Sequence, residues 1–60
     1  MFIFEVVFGQ HHAKVAYNVI AKNANEAIML ASATAFNSIN KYTVNDVLTV
    51  ERGTKIDAIG

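Results

Sequence analysis

The chain has 60 residues, enough for one domain, and its five basic and five acidic residues cancel. It contains no cysteine, which excludes disulfide bonds and thiolate metal sites, and two histidines cannot complete a structural zinc site, which needs four ligands. A neutral chain also lacks the long-range field that attracts nucleic acid. We therefore expect no metal and no cofactor, and the balanced charge argues against a nucleic-acid partner.

The N-terminal part of the sequence predicts an antiparallel β-hairpin. Residues 2–8 and 14–21 are rich in aromatic and β-branched side chains, which favour strands, and apolar side chains alternate along both segments. Gly9 lies in the short connection between them, as in a hairpin turn. The side chains expected on the inner face are those of Phe2, Phe4, Val6, Phe8, Val15, Tyr17, Val19 and Ala21.

A helix is predicted over residues 24–39. Asn23 is a favoured N-cap residue, and Glu26 follows three positions later, as in a capping box. The segment is rich in alanine, which has the highest helix propensity. One stripe of mostly small side chains would let the helix lie close to a sheet. That stripe consists of Ala24, Ala27, Ile28, Ala31, Ala35 and Ile39.

Residues 46–52 predict a third strand, with Leu48 and Val50 directed at the helix. Gly53 interrupts this strand, and residues 54–60 either continue it after a bulge or fray. The predicted fold is a single α+β domain over residues 1–60, a two-layer ββαβ arrangement with a mainly antiparallel three-stranded sheet and one helix on one face. The predicted core contains Phe4, Tyr17, Ile28, Ala31 and Leu48.

Nucleophiles and metal ligands are poorly placed for chemistry. His11 and His12 are adjacent in a predicted turn, with no third ligand nearby, and are interpreted as solvated turn residues. Ser32 and Ser38 lie on the predicted helix, where no sharp turn or oxyanion donor would activate a hydroxyl. We assign no catalytic, cofactor-binding or metal-binding residue among them.

The carboxylates offer no clear general acid–base pair either. Glu5 and Glu51 could approach each other if the first and third strands are neighbours, but we do not interpret this pair as catalytic. The sequence also lacks a glycine-rich phosphate loop, since it has only three glycines. The chain is therefore not expected to be an enzyme.

Apolar side chains without a place in the core predict a partner-binding surface. The outer sheet face would carry Ile3, Val7, Ala16, Ile20 and Val47 beside Glu5, Asn18, Thr49 and Glu51. The helix has a single charged residue, and Met29, Ala33 and Phe36 lie off its inner stripe. Exposed contiguous apolar area usually marks an interface, although a very small domain cannot hide every apolar side chain. The candidate partner-binding residues are Ile3, Glu5, Val7, Ile20, Met29, Phe36, Thr49, Glu51 and Arg52.

The order of elements, from FEVVFGQHHAKVAYNVIAKNANEAIMLA to NDVLTVER, resembles the small bacteriophage proteins that inhibit host RNA polymerase early in podovirus infection. Those proteins have a strand, a histidine-bearing turn, a second strand, a capped helix with a Glu-Ala step and a last strand. The resemblance implies binding to the polymerase through charged side chains, notably arginines on the last strand. In this chain the corresponding segment carries Thr49, Glu51 and Arg52.

These observations predict a non-enzymatic phage-type protein that binds a larger host protein, such as RNA polymerase or a defence complex, and inhibits or redirects it. Two alternatives stay open: a self-assembling structural module, with a homodimer as its simplest form, and a small nucleic-acid-binding protein. The apolar segment at residues 1–8 is interrupted by Glu5 and is too short to span a membrane, so we expect a cytoplasmic protein with no membrane partner.

Overall fold

A computed structural model of the chain describes residues 1–10, 13–39 and 41–56, and it confirms the predicted α+β architecture. The elements are strand β1 (Phe2–Gln10), strand β2 (Ala13–Ala21), helix α1 (Ala24–Phe36), a short 3-10 helix (Val44–Asp46) and strand β3 (Val47–Lys55). Within the described ranges the strands form one antiparallel sheet in the order β2-β1-β3, so β1 is central.

The core lies between the inner face of β1 and the alanine stripe of α1. Phe4, Val6 and Phe8 are buried there, against the small side chains of the helix. Because those side chains end at Cβ, the helix backbone can lie close to the aromatic rings of the sheet. The buried alanines of the helix are Ala27, Ala31 and Ala35. Of the predicted core, Phe4 and Ala31 are confirmed as buried, while Tyr17 and Ile28 are half-buried.

The predicted inward direction of Leu48 is wrong, because β3 contains a bulge. Val7 pairs with Thr49 and Phe8 with Val47, so Leu48 is an extra residue with no partner of its own on β1. Its side chain is 52% exposed, and Val47 packs against the core in its place. Leu48 instead covers Gly9 on the outer face, where an added Cβ would lie 2.5 Å from Leu48 Cδ1.

A second irregularity lets β3 continue past Gly53, which is one of the two outcomes that the sequence left open. Phe4 pairs with Arg52 and Phe2 with Lys55, so β3 contains one more residue than β1 between these two pairs. The backbone N–H of Ile56 then donates to the Met1 carbonyl at 2.8 Å. The end of the segment 54–60, residues 57–60, lies outside the described residues, as do the two turn histidines, His11 and His12.

Helix α1 begins where predicted but ends earlier. The Asn23 side chain accepts from the Glu26 backbone N–H at 2.9 Å, which confirms the cap. At the other end, Asn37 Nδ2 donates to the Ala33 carbonyl at 2.9 Å, and Ser38 Oγ donates to the Ala35 carbonyl at 2.6 Å. The Asn37 side chain is a second donor to a carbonyl that also accepts the Asn37 backbone N–H, whereas the Ala35 carbonyl, which the next helical N–H would use, is taken by the backbone and side chain of Ser38.

The two ends of the predicted helical stripe lie outside the core. Ile39 lies beyond the last helical residue and is 95% exposed, and Ala24, in the first turn, is exposed as well. The continuous inner stripe is therefore shorter than the sequence indicated, and it is made almost wholly of alanine.

The segment after the helix contains a core residue that the sequence analysis missed. Tyr42 is buried and stacks on Phe8, with 5.9 Å between ring centroids. A capping box holds the 3-10 helix that follows, with the Thr43 backbone N–H donating to Asp46 Oδ2 at 2.8 Å. This bond, together with one from the Gln10 side chain, lowers the pKa of the Asp46 carboxyl.

A candidate protein-binding face

The outer sheet face is the surface of the sheet that α1 does not cover. Within the described residues no element packs on this side, since α1 lies against the inner face. Alternation along β1 and β2, together with the bulge in β3, decides which side chains point outward. The outer sheet face consists of Ile3, Glu5, Val7, Lys14, Ala16, Asn18, Ile20, Leu48, Thr49 and Glu51.

Apolar side chains occupy both ends of the outer sheet face. Ile3 and Ile20 are direct cross-strand partners near one end, and Ile20 is 51% exposed. Val7 lies toward the other end, and Leu48 lies beside it over Gly9. The sequence predicted this face correctly along β1 and β2, but it placed Val47 here where the structure places Leu48.

Two carboxylates face each other at the centre of this surface. Glu5 and Glu51 are direct cross-strand partners, with Asn18 on the other side of Glu5. Like charges directly opposite each other on adjacent strands destabilise a sheet, by about 0.2–1 kcal/mol. Of the cations in the described ranges, only Lys14 lies on this face, and it stands opposite Gly9 at the far end of the strand.

This arrangement places two negative charges together with no positive charge beside them among the described residues of this face. Asn18 and Thr49 can donate hydrogen bonds to the carboxylates, but neutral donors do not cancel the repulsion between the two charges. A basic group brought by a partner would satisfy both carboxylates and relieve their mutual repulsion. The centre of the outer sheet face is therefore complementary to a cation flanked by apolar groups.

A second apolar surface lies on the opposite side of the molecule, on the exposed face of α1. Met29 is 72% exposed and Phe36 is 55% exposed, and Leu30 is exposed between them. The ammonium of Lys41 lies 5.9 Å from the centroid of the Phe36 ring. Met29 and Phe36 therefore form a surface separate from the outer sheet face, as the sequence analysis also distinguished them. Leu30 also belongs to this surface, although it was not among the predicted residues.

Arg52 is separated from the other candidate residues of β3. It follows Glu51 directly, and adjacent residues of a strand point to opposite faces. Its partner on β1 is Phe4, and its guanidinium lies over the Phe2 ring, 4.8 Å from the centroid. Arg52 therefore belongs to a cleft on the inner side, at the start of α1, and not to the outer sheet face.

The described part of the chain contains neither a cluster of metal ligands nor a membrane-spanning helix. In residues 1–10, 13–39 and 41–56, no group of three or more histidine, cysteine, aspartate or glutamate side chains could hold a metal ion. None of the helices in these ranges has the length and apolar character needed to cross a bilayer.

Comparison with known proteins leaves the resemblance to phage inhibitors as a prediction. No protein-family model, no curated protein and no solved structure matches the chain.

Proposed function

We propose that this chain is a non-enzymatic binding protein that docks on a larger protein through its outer sheet face. The observation that carries the proposal is the composition of that face: exposed apolar side chains surround the facing carboxylates of Glu5 and Glu51. A stability cost at the centre of an exposed apolar surface is compensated when a partner supplies the opposite charge. The expected partner segment carries a lysine or arginine between apolar side chains.

The partner class follows from the resemblance in the sequence. The phage inhibitors that the chain resembles act on a host protein in the bacterial cytoplasm, so host RNA polymerase and a host defence complex are the first partners to test. Binding would inhibit or redirect the activity of the host polymerase or defence complex. The arginine-based contact of that family has at most one counterpart here, Arg52, and it lies away from the outer sheet face.

Self-assembly is a second candidate function, and the exposed apolar face of α1 favours it. A two-fold contact centred on the outer sheet face would bring two Glu5–Glu51 pairs together, and this repulsion opposes a dimer there. The helix surface with Met29 and Phe36 has no such obstacle. A homodimer would therefore use the helix and would leave the outer sheet face free.

Light scattering on the purified chain distinguishes the two candidate functions. We expect the wild-type chain at high concentration to be a monomer, or a dimer that Phe36→Lys dissociates and Ile20→Lys does not, because the carboxylate pair opposes self-association through the outer sheet face. Ile20→Lys and Phe36→Lys are matched variants that place one new charge on the sheet surface and one on the helix surface. A wild-type dimer that Ile20→Lys dissociates, but Phe36→Lys does not, would contradict the assignment of this face to a foreign partner.

Nucleic-acid binding has less support from the placement of the cations. Lys14 lies on the outer sheet face, Lys41 lies beside Phe36, and Lys22 and Arg52 line the cleft. Phosphate backbones are bound by concentrated basic surfaces, and these side chains point to different sides of the molecule.

A further inference from the structure

A cleft opens on the inner side of the sheet, where α1 begins beside β1 and β3. Its volume is about 360 Å³, which is within the range of small-molecule sites, roughly 300–1,000 Å³. Phe4 is buried and Val50 is half-buried, so they give the cleft an apolar floor. The lining residues are Phe2, Phe4, Lys22, Asn23, Ala24, Val50 and Arg52. The cleft is therefore apolar below and cationic at its rim.

The guanidinium of Arg52 is oriented but not neutralised. It lies over the Phe2 ring at 4.8 Å from the centroid, which fixes the position of the group through a cation–π contact. No described residue forms an ion pair or a hydrogen bond with the Arg52 side chain. A guanidinium held by its face keeps its N–H edge available for bidentate binding of a carboxylate or a phosphate.

Lys22 adds a second cationic residue to the lining of the cleft, and the nearby Glu26 carboxylate bonds to the backbone of Lys22. Glu26 Oε1 accepts the backbone N–H of Lys22 at 3.0 Å, at the start of α1. The Glu26 backbone N–H is itself taken by the side chain of Asn23. The case for the cleft therefore rests on Lys22, Arg52 and the apolar floor, and not on free amide groups of the helix.

We propose that this cleft binds a small molecule that carries a phosphate or carboxylate group on a flat apolar body, such as an aryl phosphate or aryl carboxylate. The apolar body lies on Phe4 and Val50, and the anionic group pairs with Arg52 and Lys22. This site is on the opposite side of the sheet from the outer sheet face, so it adds a function to the proposed protein docking and does not depend on it.

Titration of the amide NMR spectrum with phenyl phosphate tests the site. We expect saturable shifts at the amides of Lys22, Ala24 and Arg52, with benzoate acting at the same amides. Inorganic phosphate lacks the apolar body and phenol lacks the charge, so each alone should bind more weakly. Arg52→Gln should weaken phenyl phosphate binding about tenfold or more, since it removes a charge-assisted hydrogen-bonding group.

Lys14→Gln is the matched control, because it removes one cation from the outer sheet face and leaves the cleft intact. The spectrum of each variant reports its fold, and Lys22→Gln provides a second cleft variant. The proposal is overturned if phenyl phosphate causes no saturable shift at the cleft amides, or if Lys14→Gln weakens binding as much as Arg52→Gln. Ile20→Lys changes the outer sheet face and should leave the affinity for phenyl phosphate unchanged. A failure of protein docking can therefore be distinguished from a failure of ligand binding in the cleft.

Discussion

Phe8→Ala is expected to lower the free energy of unfolding by about 3–5 kcal/mol, because it removes a fully buried ring from the centre of the core. The ring packs edge-on against Tyr17, with centroids 5.6 Å apart, and stacks on Tyr42 at 5.9 Å. A domain of 60 residues has a total stability of about 3–9 kcal/mol. The substitution is therefore expected to remove a large part of the stability of the domain.

Circular dichroism during urea titration measures this effect. The matched control is Phe36→Ala, which makes the same substitution at a side chain that is 55% exposed. We expect the control to change the free energy of unfolding by less than about 1 kcal/mol, as is usual for surface positions. Equal losses in the two variants would contradict the placement of the core between β1 and the helix.

Ala31→Leu is expected to destabilise the domain by about 1–3 kcal/mol through overpacking. Ala31 is completely buried at the middle of the stripe by which α1 lies on the sheet. A larger side chain there would push the helix away from Phe4 and Val6, and the small neighbouring alanines leave no flexible side chain that could yield.

Ala33→Leu controls for helix propensity, because Ala33 lies on the same helix but is exposed. Leucine and alanine are both good helix formers, so the control should be close to neutral in chemical denaturation. A neutral Ala31→Leu, or a loss of equal size in Ala33→Leu, would show that the close contact between helix and sheet is not where the structure places it.

The two-layer fold could be predicted because its local signals agree with one another. Alternation along β1 and β2 places Phe4 and Tyr17 inward and Ile20 outward, as the structure confirms. Asn23 and Glu26 mark the start of the helix by a side-chain contact that depends on sequence spacing alone. Such features need no knowledge of distant residues, so they are readable from the sequence.

The errors arise where a single residue changes the register or where side chains compete for the backbone. The bulge at Leu48 falls within a regular apolar run, VLTV, with no glycine or proline to signal it, and it reverses the predicted faces of Val47 and Leu48. The early end of α1 depends on hydrogen bonds from Asn37 and Ser38, which helix propensity does not describe.

The candidate binding surfaces were predictable only in part. The outer sheet face follows from alternation, and the approach of Glu5 to Glu51 was anticipated as a consequence of β1 and β3 being neighbours. The cleft was not predicted, because it forms only where residues of β1 and β3 come together with the start of the helix in the folded chain. Arg52 was correctly considered a candidate residue, but its separation from Glu51 requires the register of β3.

The central claim is that a foreign protein binds to the outer sheet face, and parallel affinity capture tests it most directly. Wild-type chain, Ile20→Lys and Phe36→Lys are immobilised and exposed to the same bacterial lysate, and retained proteins are quantified by mass spectrometry. The account predicts one stoichiometric protein on the wild-type and Phe36→Lys chains, and its loss on Ile20→Lys. A protein retained equally by Ile20→Lys, or no stoichiometric protein on the wild-type chain, would contradict the claim.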